Sequence, residues 1–436
     1  MIKKIFGGFF ISNAAQAGLQ FLMIPLIVRA LGVEEYGKWG LFEPAIYLFA
    51  LIAQMGGNWG ILKLVNVDKI DVTAALRLCL ELAIGPILLA ITLACVWGAL
   101  QFKFTYAILL MPWVIVAEAA LGLGLAAARA KLLALPYMLG IISKFGILAL
   151  FALINITGDS VLVSSAVQWL AVYAVAVTIA AILANYQILK QNKTLPLDLA
   201  DKKKFKRSAM KYGVPMLISA VFATVLNNAD RFIVSSVLDK QTLGHYVIAL
   251  KLAGVLNFLI TPVALWWPTA RFQHIEDPDR GQAFFAKMSI KFTAAYSLAG
   301  ALLCLAAPWI LPLLAPGVYI EASLLLPLIL GVVIRAIEPS LNIGLLQENK
   351  THLLIYTTAL GAFIQITLGL LLAKYFMAQG VAWAFVIASL CSLGLIHYIS
   401  QRIYKLVFPY LKLFFCLLLP FVFYCIVSLS KFQLFI

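Results

Sequence analysis

Long apolar stretches follow one another along almost the whole chain, and only short polar connections separate them. The first stretch, residues 6–28, is too long to be the apolar part of a secretion signal. Because a helix needs about 20 apolar residues to cross a bilayer, each stretch predicts a transmembrane helix. Charged residues make up only 12% of the chain, which is about half of what soluble domains carry. A soluble fold is therefore excluded, and we expect an all-α polytopic membrane protein.

Thirteen helices are predicted from the alternation of apolar stretches and polar connections. Their ranges are 6–28, 40–62, 78–100, 106–128, 136–155, 161–188, 212–238, 243–268, 287–312, 322–346, 352–373, 379–401 and 409–430. The connections between them leave no room for a soluble domain.

The positions of the basic residues predict the orientation in the membrane. If the N-terminus is cytoplasmic, alternate loops place most of the 33 Lys and Arg residues on the cytoplasmic side. The opposite side then holds Arg29, Lys38, Lys103, Lys240, Lys374 and Lys431. Since Lys and Arg concentrate in cytoplasmic loops, we predict that the N-terminus is inside the cell. Topology thus accounts for most of the formal charge of +15, and no nucleic-acid partner is expected.

Weak internal similarity indicates two repeated halves. An offset of 207 residues places Gln20 on Asn227, Leu31 on Leu238 and Gly37 on Gly244, and an offset of 220 places Glu118 on Glu338. Six helices in each half is an even number, so both halves enter the membrane from the same side. The predicted pseudo-two-fold axis therefore runs along the membrane normal, as in parallel-repeat transporters.

These patterns predict the following organisation of the chain. Residues 1–188 form an N-terminal six-helix bundle, 189–211 a basic cytoplasmic linker, 212–402 a C-terminal six-helix bundle, and 403–436 one additional helix. The linker carries eight Lys and Arg residues, and we expect it to be attracted to anionic lipid head groups.

Ionisable side chains inside the predicted helices are candidates for function, because they are costly in hydrocarbon and usually face protein or water. Asn227 and Arg231 share a helix face, so Arg231 meets either an anionic ligand or a structural partner such as Asp230. Arg335 and Glu338 also share a face and can simply neutralise each other. The isolated lysines of two apolar helices, Lys144 and Lys251, favour a cavity-lining role. The amides of the first helix, Asn13, Gln16 and Gln20, suit either interhelical hydrogen bonds or ligand contact.

The sequence contains no recognisable catalytic or metal-binding motif. Its four histidines are scattered, its six cysteines lie in apolar stretches, and there is no GxxxxGK[ST] loop for ATP. We therefore expect a protein that is not an enzyme and needs neither a cofactor nor a metal.

Two segments carry a resemblance to a known family. The first helix ends in Pro25-Leu-Ile-Val-Arg-Ala-Leu-Gly and is followed by Glu-Glu-Tyr-Gly, and the second half opens with Asn-Ala-Asp-Arg-Phe-Ile-Val from Asn228 and Leu-Gly-His-Tyr from Leu243. Both resemble bacterial polysaccharide-biosynthesis flippases, the O-antigen (Wzx-type) transporters of the multidrug/oligosaccharidyl-lipid/polysaccharide export superfamily. The similarity runs over helices 1–12. The thirteenth helix departs from the commonest twelve-helix pattern.

The resemblance implies a MATE-like fold and a flippase in the bacterial cytoplasmic (inner) membrane. Such a protein moves an undecaprenyl-pyrophosphate-linked oligosaccharide, the repeat unit of O-antigen in lipopolysaccharide or of another surface polysaccharide, from the inner to the outer leaflet by alternating access. Its partners would be that substrate, membrane lipid and a coupling ion, H⁺ or Na⁺, and it would act as a monomer. The alternatives are a multidrug or small-cation exporter of the same fold and, from a different class, a membrane glycan polymerase or ligase.

Candidate residues for each role follow from that substrate. The charge of the pyrophosphate would be met by Lys144, Arg231, Lys251 and Arg335, and the sugar hydroxyls by Asn13, Gln16, Gln20, Asn227 and Asn257. Without an ATP site, energy must come from an ion gradient or from consumption of the product. Asp230, Glu118 and Glu338 are the candidate carriers of the coupling ion, because they are carboxylates inside predicted helices.

Overall fold

A computed structural model describes residues 2–102, 107–157, 162–191, 198–261, 263, 267, 278–315, 322–347 and 353–433. The described residues form α-helices and short 3-10 turns and contain no β-strand, so the expected all-α class is confirmed. The chain divides into two compact units, Met1–Thr224 and Val225–Ile436. The boundary between the units falls inside a helix.

Six helices lie wholly in the first unit, and a seventh continues into the second. They are α1 (Ile2–Ala53), α2 (Gly57–Asn66), α3 (Val72–Phe102), α4 (Ala107–Ala130), α5 (Ala134–Thr157), α6 (Ala166–Gln191) and α7 (Leu199–Val237). The predicted seventh helix began at residue 212. In the structure α7 begins at Leu199, so much of the predicted linker is helical.

The remaining helices lie in the second unit. They are α8 (Lys240–Ala253), α9 (Pro278–Leu314), α10 (Leu325–Leu341), α11 (Ile343–Gln347), α12 (Leu353–Ile403), α13 (Tyr410–Leu417) and α14 (Leu419–Gln433). A 3-10 turn, Gly254–Leu256, continues α8 toward residue 261. The predicted additional C-terminal helix is present as α13 and α14, and α14 packs against α9.

Two pairs of predicted helices are each merged into one long element. The polar residues between the first two predicted helices are helical, and α1 runs through them with a kink at Gly32 (φ 77°, ψ 167°). α12 contains 51 residues and has non-helical backbone at Phe376 and Met377. At 1.5 Å per residue it is about 77 Å long, more than twice the roughly 30 Å of bilayer hydrocarbon. The kink therefore divides α12 into two segments, each long enough to cross a membrane.

The helix breaks agree with the predicted repeat. The kink at Gly32 in the first half lies 207 residues before Asp239, the N-cap of α8. Within the described residues, eight helices are long and apolar enough to cross a membrane, or nine if the bent pair Gly18–Ala53 and Gly57–Asn66 is one span. The chain is a multi-pass membrane protein.

Candidate functional site

A cavity of about 420 Å³ lies in the second unit, among α7, the end of α8, α10 and α12. We call it the arginine cavity. Its polar lining residues are Asn227, Arg231, Asn257 and Arg335, and its apolar lining is Leu250, Gly254, Ile260, Val332, Ala336 and Phe385. All four polar residues are among those that the sequence proposes for substrate binding.

Helix geometry explains how three of these four polar side chains come to line the same cavity. Asn227 and Arg231 are four residues apart on α7 and therefore share a face. The 3-10 turn at Gly254–Leu256 follows α8 directly and brings Asn257 to the same cavity. Phe385 packs on Gly331 of α10 so closely that a Cβ at that glycine would lie 2.3 Å from its ring. A side chain at position 331 would thus displace this aromatic wall.

The lining of the arginine cavity carries positive charge. Among the described residues that line it there are two guanidinium groups and no carboxylate. Arg335 forms an ion pair through Nη1 with Oε2 of Glu338, one turn further along α10. Both side chains are largely buried, 18% and 12% exposed, so water screens the pair little. Arg335 is thereby held in place and partly neutralised.

Asp230 faces a different direction from its neighbour Arg231, because adjacent residues of a helix point about 100° apart. The residue is 1% exposed. Tyr246 of α8 donates a hydrogen bond from its hydroxyl to Asp230 Oδ2 at 2.9 Å, and the backbone N–H of Arg231 donates to Oδ1 at 2.8 Å. The carboxylate is thus held in the core of the second unit.

A second buried polar cluster lies in the first unit. Lys144 of α5 places its Nζ 2.8 Å from both carboxylate oxygens of Glu118 on α4. The hydroxyl of Tyr173 on α6 donates to Glu118 Oε2 at 3.2 Å, and the Lys144 ammonium lies 4.8 Å from the centre of the Tyr173 ring. Lys144, isolated in the sequence of its helix, therefore has an acidic partner in the fold.

The other candidate residues are spread over both units. Gln16 is half-buried and Gln20 exposed on α1, whereas the side chain of Asn13 lies outside the described part of the structure. Lys251 is half-buried in the last turn of α8, beside the cavity-lining Leu250. The proposed set is thus divided between the units, and four of its members meet in the arginine cavity.

Sequence reasoning missed the two tyrosines that hold the buried carboxylates. Tyr246 stands in the Leu-Gly-His-Tyr segment that carried the family resemblance, but it is separated from Asp230 by a helix break, so no helical periodicity connects the two. Tyr173 lies 55 residues from Glu118. Only the packing of separate helices brings these groups together. Within the described residues there is no cluster of three His, Cys, Asp or Glu side chains that could hold a metal.

The fold and the polar cavity define a polytopic membrane protein whose fold is shared with solved transporters and a flippase. Similar solved structures include a MATE in complex with MaD3S (TM-score 0.62, 15% identity, 92% of this chain and 95% of that chain). Another is the lipid II flippase MurJ in an inward closed conformation (TM-score 0.60, 12% identity, 98% and 92%). A third is an inward-facing multidrug resistance MATE family transporter of the MOP superfamily (TM-score 0.59, 14% identity, 89% and 94%).

The sequence itself gives the family. Residues 5–270 match the polysaccharide biosynthesis protein family, and the chain belongs to it. No curated protein matches the chain significantly in sequence. The expected MATE-like fold is confirmed by the structural similarity, which at these identities establishes the fold alone.

Proposed function

We propose that this protein is a flippase that moves a polyprenyl-pyrophosphate-linked oligosaccharide, the undecaprenyl form in bacteria, from the inner to the outer leaflet of the cytoplasmic membrane. The observation that carries the proposal is the lining of the arginine cavity. It combines two guanidinium groups, Arg231 and Arg335, with two amides, Asn227 and Asn257.

This lining suits the head group of such a substrate. A guanidinium group binds phosphate oxygens through two parallel N–H donors, and it keeps its charge at any physiological pH. Carboxamides both donate and accept hydrogen bonds, as sugar hydroxyls do. The volume of about 420 Å³ lies within the usual range for a small-molecule site, about 300–1,000 Å³. The lipid tail can remain in the bilayer, so the cavity has to accommodate only the polar head group.

The family and one structural neighbour support the same proposal. Membership in the polysaccharide biosynthesis protein family points to glycan export, and a lipid II flippase shares the fold. A multidrug resistance MATE family transporter also shares the fold, but a cavity that holds a cationic drug would need acidic or aromatic groups. The described lining residues of the arginine cavity include no acid and one aromatic ring, Phe385, which favours an anionic substrate.

We further propose that transport is coupled to a gradient of H⁺ or Na⁺ through Asp230, Glu118 and Glu338. Each has a basic or hydroxyl partner in its own unit, respectively Tyr246, Lys144 and Arg335. When such a carboxylate releases its partner and binds a cation instead, the helices that the pair held together can pack differently. Ion binding would in this way favour one of two conformations. If the three single Asp→Asn and Glu→Gln variants all keep wild-type transport and wild-type dependence on the ion gradient, coupling through these groups is wrong.

Depletion of the protein in its native host tests the transport function. The expected result is that lipid-linked oligosaccharide accumulates in the inner leaflet, where a membrane-impermeant glycosidase or lectin cannot reach it in intact spheroplasts. Re-expression should restore access to the probe, whereas re-expression of the Arg231→Gln, Arg335→Gln double variant should not. Normal surface glycan in a depleted strain that has no second flippase would contradict the proposal.

A further inference from the structure

A second and larger cavity, of about 1170 Å³, lies in the first unit between the beginning of α7 and the helices α2 and α3. We call it the lysine cavity. Its basic lining residues are Lys63 of α2 and six Lys and Arg residues between Lys202 and Lys211 of α7. Glu81 is the one acid among its described lining residues. The lining therefore carries a large excess of positive charge. No residue lines both the lysine cavity and the arginine cavity.

The beginning of α7 is fixed in place by specific contacts. Lys206 Nζ lies 2.7 Å from Glu81 Oε2, and Lys202 Nζ lies 3.7 Å from Glu81 Oε1. The Ser208 hydroxyl donates to Asp68 Oδ2 at 2.7 Å. Ala209 packs against Gly60 of α2, where an added Cβ would lie 3.0 Å from the alanine Cβ. The basic segment is thus part of the packed unit, and the helix that carries its charges is held against α2 and α3.

Five of the seven basic lining residues take no part in these anchoring ion pairs, and three of the five lie close together on α7. Lys203, Lys204 and Arg207 line the cavity with exposed side chains. They occupy one helical turn together, so an anion at the cavity can approach them at the same time. The ion pairs of Glu81 use Lys202 and Lys206 instead, which separates the anchoring lysines from those that remain accessible to an anion.

The location of the lysine cavity is that of a membrane interface. α7 has 39 residues and is therefore about 58 Å long, whereas the hydrocarbon core of a bilayer is roughly 30 Å thick. Its polar first turns must extend beyond the hydrocarbon, on the side that the basic loops assign to the cytoplasm. The cavity also has four apolar lining residues, which are Leu82, Leu199, Met210 and Val214. Clustered Lys and Arg beside apolar surface at the end of a transmembrane helix are typical of anionic-lipid sites.

We propose that the lysine cavity binds the phosphate group of an anionic lipid from the adjacent leaflet. Lys203, Lys204 and Arg207 contact the phosphate, and the apolar lining residues contact the beginning of the acyl or prenyl chain. Two lipids carry this chemistry, an anionic phospholipid and a polyprenyl pyrophosphate. The site does not depend on the proposed function, because it would exist in a protein that transports another substrate.

The test is the affinity of the detergent-solubilised full-length protein for dioctanoyl phosphatidylglycerol, measured by native mass spectrometry, with dioctanoyl phosphatidylcholine as the neutral comparison. The Lys203→Gln, Lys204→Gln, Arg207→Gln variant should bind phosphatidylglycerol at least about tenfold more weakly, given the usual contribution of each Lys or Arg at a lipid surface. The matched control is Arg77→Gln, Arg129→Gln, Lys131→Gln, which removes three exposed charges that do not line the cavity. The control should retain the wild-type affinity. Equal losses in both variants, or equal binding of the two lipids by the wild type, would overturn the proposal.

Glu81→Gln provides a test in which the predicted change is a gain in affinity, which misfolding would not produce. Removing the one acid of the lining should raise the affinity for phosphatidylglycerol several-fold, because it removes repulsion and makes Lys202 and Lys206 available to the phosphate. The Ser208–Asp68 hydrogen bond and the packing of Ala209 on Gly60 still hold α7 in this variant. An unchanged or weaker affinity, in a variant with the wild-type thermal midpoint, would contradict a phosphate site at this position.

Competition identifies which lipid is the occupant. Farnesyl pyrophosphate, added to the wild type loaded with phosphatidylglycerol, should displace it, and the triple cavity variant should lose this competition. Displacement well below the phosphatidylglycerol concentration assigns the site to a prenyl pyrophosphate, whereas displacement only at similar or higher concentrations assigns it to phospholipid. Failure to displace phosphatidylglycerol at any concentration would overturn a common phosphate site.

Discussion

Gly56 and Gly213 bring the break between α1 and α2 into direct backbone contact with α7. A Cβ built on either glycine would lie 2.3 Å from the carbonyl oxygen of the other. Gly56 also has a φ of 74°, a left-handed conformation that side chains disfavour. This contact fixes α7 within the segment that lines the lysine cavity, between Lys211 and Val214. Both residues lie in the first unit, so the contact belongs to the core of that unit.

Gly213→Ala should therefore destabilise the protein. The added methyl group overpacks a backbone contact that cannot move without shifting a helix, and we expect a loss of about 1–3 kcal/mol in the free energy of unfolding. The measurement is the thermal midpoint of the detergent-solubilised protein. Gly146→Ala is the matched control, because no atom lies within 4 Å of a Cβ at this glycine of α5, and it should leave the midpoint unchanged or raise it. A midpoint for Gly213→Ala equal to that of the control would show that the contact is not tight.

The buried pair Lys144–Glu118 should show strong coupling in a double-mutant cycle. Each single variant, Lys144→Met or Glu118→Gln, leaves one partner buried without its counter-charge, at an expected cost of about 3–5 kcal/mol. The double variant should cost clearly less than the sum of the two, because no buried charge remains without its partner. Unfolding midpoints of the four proteins supply the cycle. Additive effects would mean that the two charges are solvated separately and that the pair does not organise the first unit.

The N-cap of α8 should make stability depend on acidic pH. Asp239 accepts hydrogen bonds from the backbone N–H and the hydroxyl of Thr242, at 2.8 and 2.5 Å. These bonds, the one from the Thr242 side chain first, lower the pKa of Asp239. The stabilisation is therefore fully present above the carboxyl's unfolded pKa of about 3.9 and is lost as the pH falls through the lower folded value.

Variants at Asp239 test the cap directly. Asp239→Ala should lower the free energy of unfolding by about 1 kcal/mol at neutral pH, as for other N-caps. Asp239→Asn keeps a capping oxygen and should retain most of the stability at neutral pH. Because the amide does not titrate, this variant should lack the contribution of Asp239 to the loss of stability at acidic pH. The measurement is the unfolding midpoint of the three proteins as a function of pH. Equal pH profiles for the wild type and Asp239→Asn would contradict the assigned role.

The membrane-spanning elements could be predicted because lipid imposes a simple rule, a continuous apolar helix for each crossing. The ends of the helices could not be predicted in this way. The polar segment after Val28 looks like a loop in composition, yet α1 continues through it and changes direction at Gly32. Likewise α7 begins at Leu199, and Glu81 and Asp68 hold its polar N-terminal part against the first unit. Glu81 of α3 and Asp68, in the connection between α2 and α3, lie more than 100 residues earlier in the chain. A local sequence pattern cannot contain such contacts.

The candidate site was predictable where one helix face carries it. Asn227 and Arg231 share such a face, and they do line the arginine cavity. The pairing of Lys144 with Glu118 was not predictable, because the two residues lie 26 positions apart on different helices. The hydrogen bonds of Tyr173 and Tyr246 to the buried carboxylates were not predictable for the same reason. Polar partners across helices depend on the rotation of each helix, which hydropathy does not determine.

Transport by the purified protein is the most direct measurement of the central claim. Proteoliposomes would contain a fluorescent polyprenyl-pyrophosphate oligosaccharide, and a membrane-impermeant quencher would report the fraction in the outer leaflet over time. The wild type should equilibrate the lipid between leaflets, and Arg231→Gln with Arg335→Gln should slow this at least about tenfold through loss of two charge-assisted phosphate contacts. Lys374→Gln, an exposed site outside the arginine cavity, should behave as the wild type. Equal rates in protein-free liposomes, the double variant and the wild type would contradict the account.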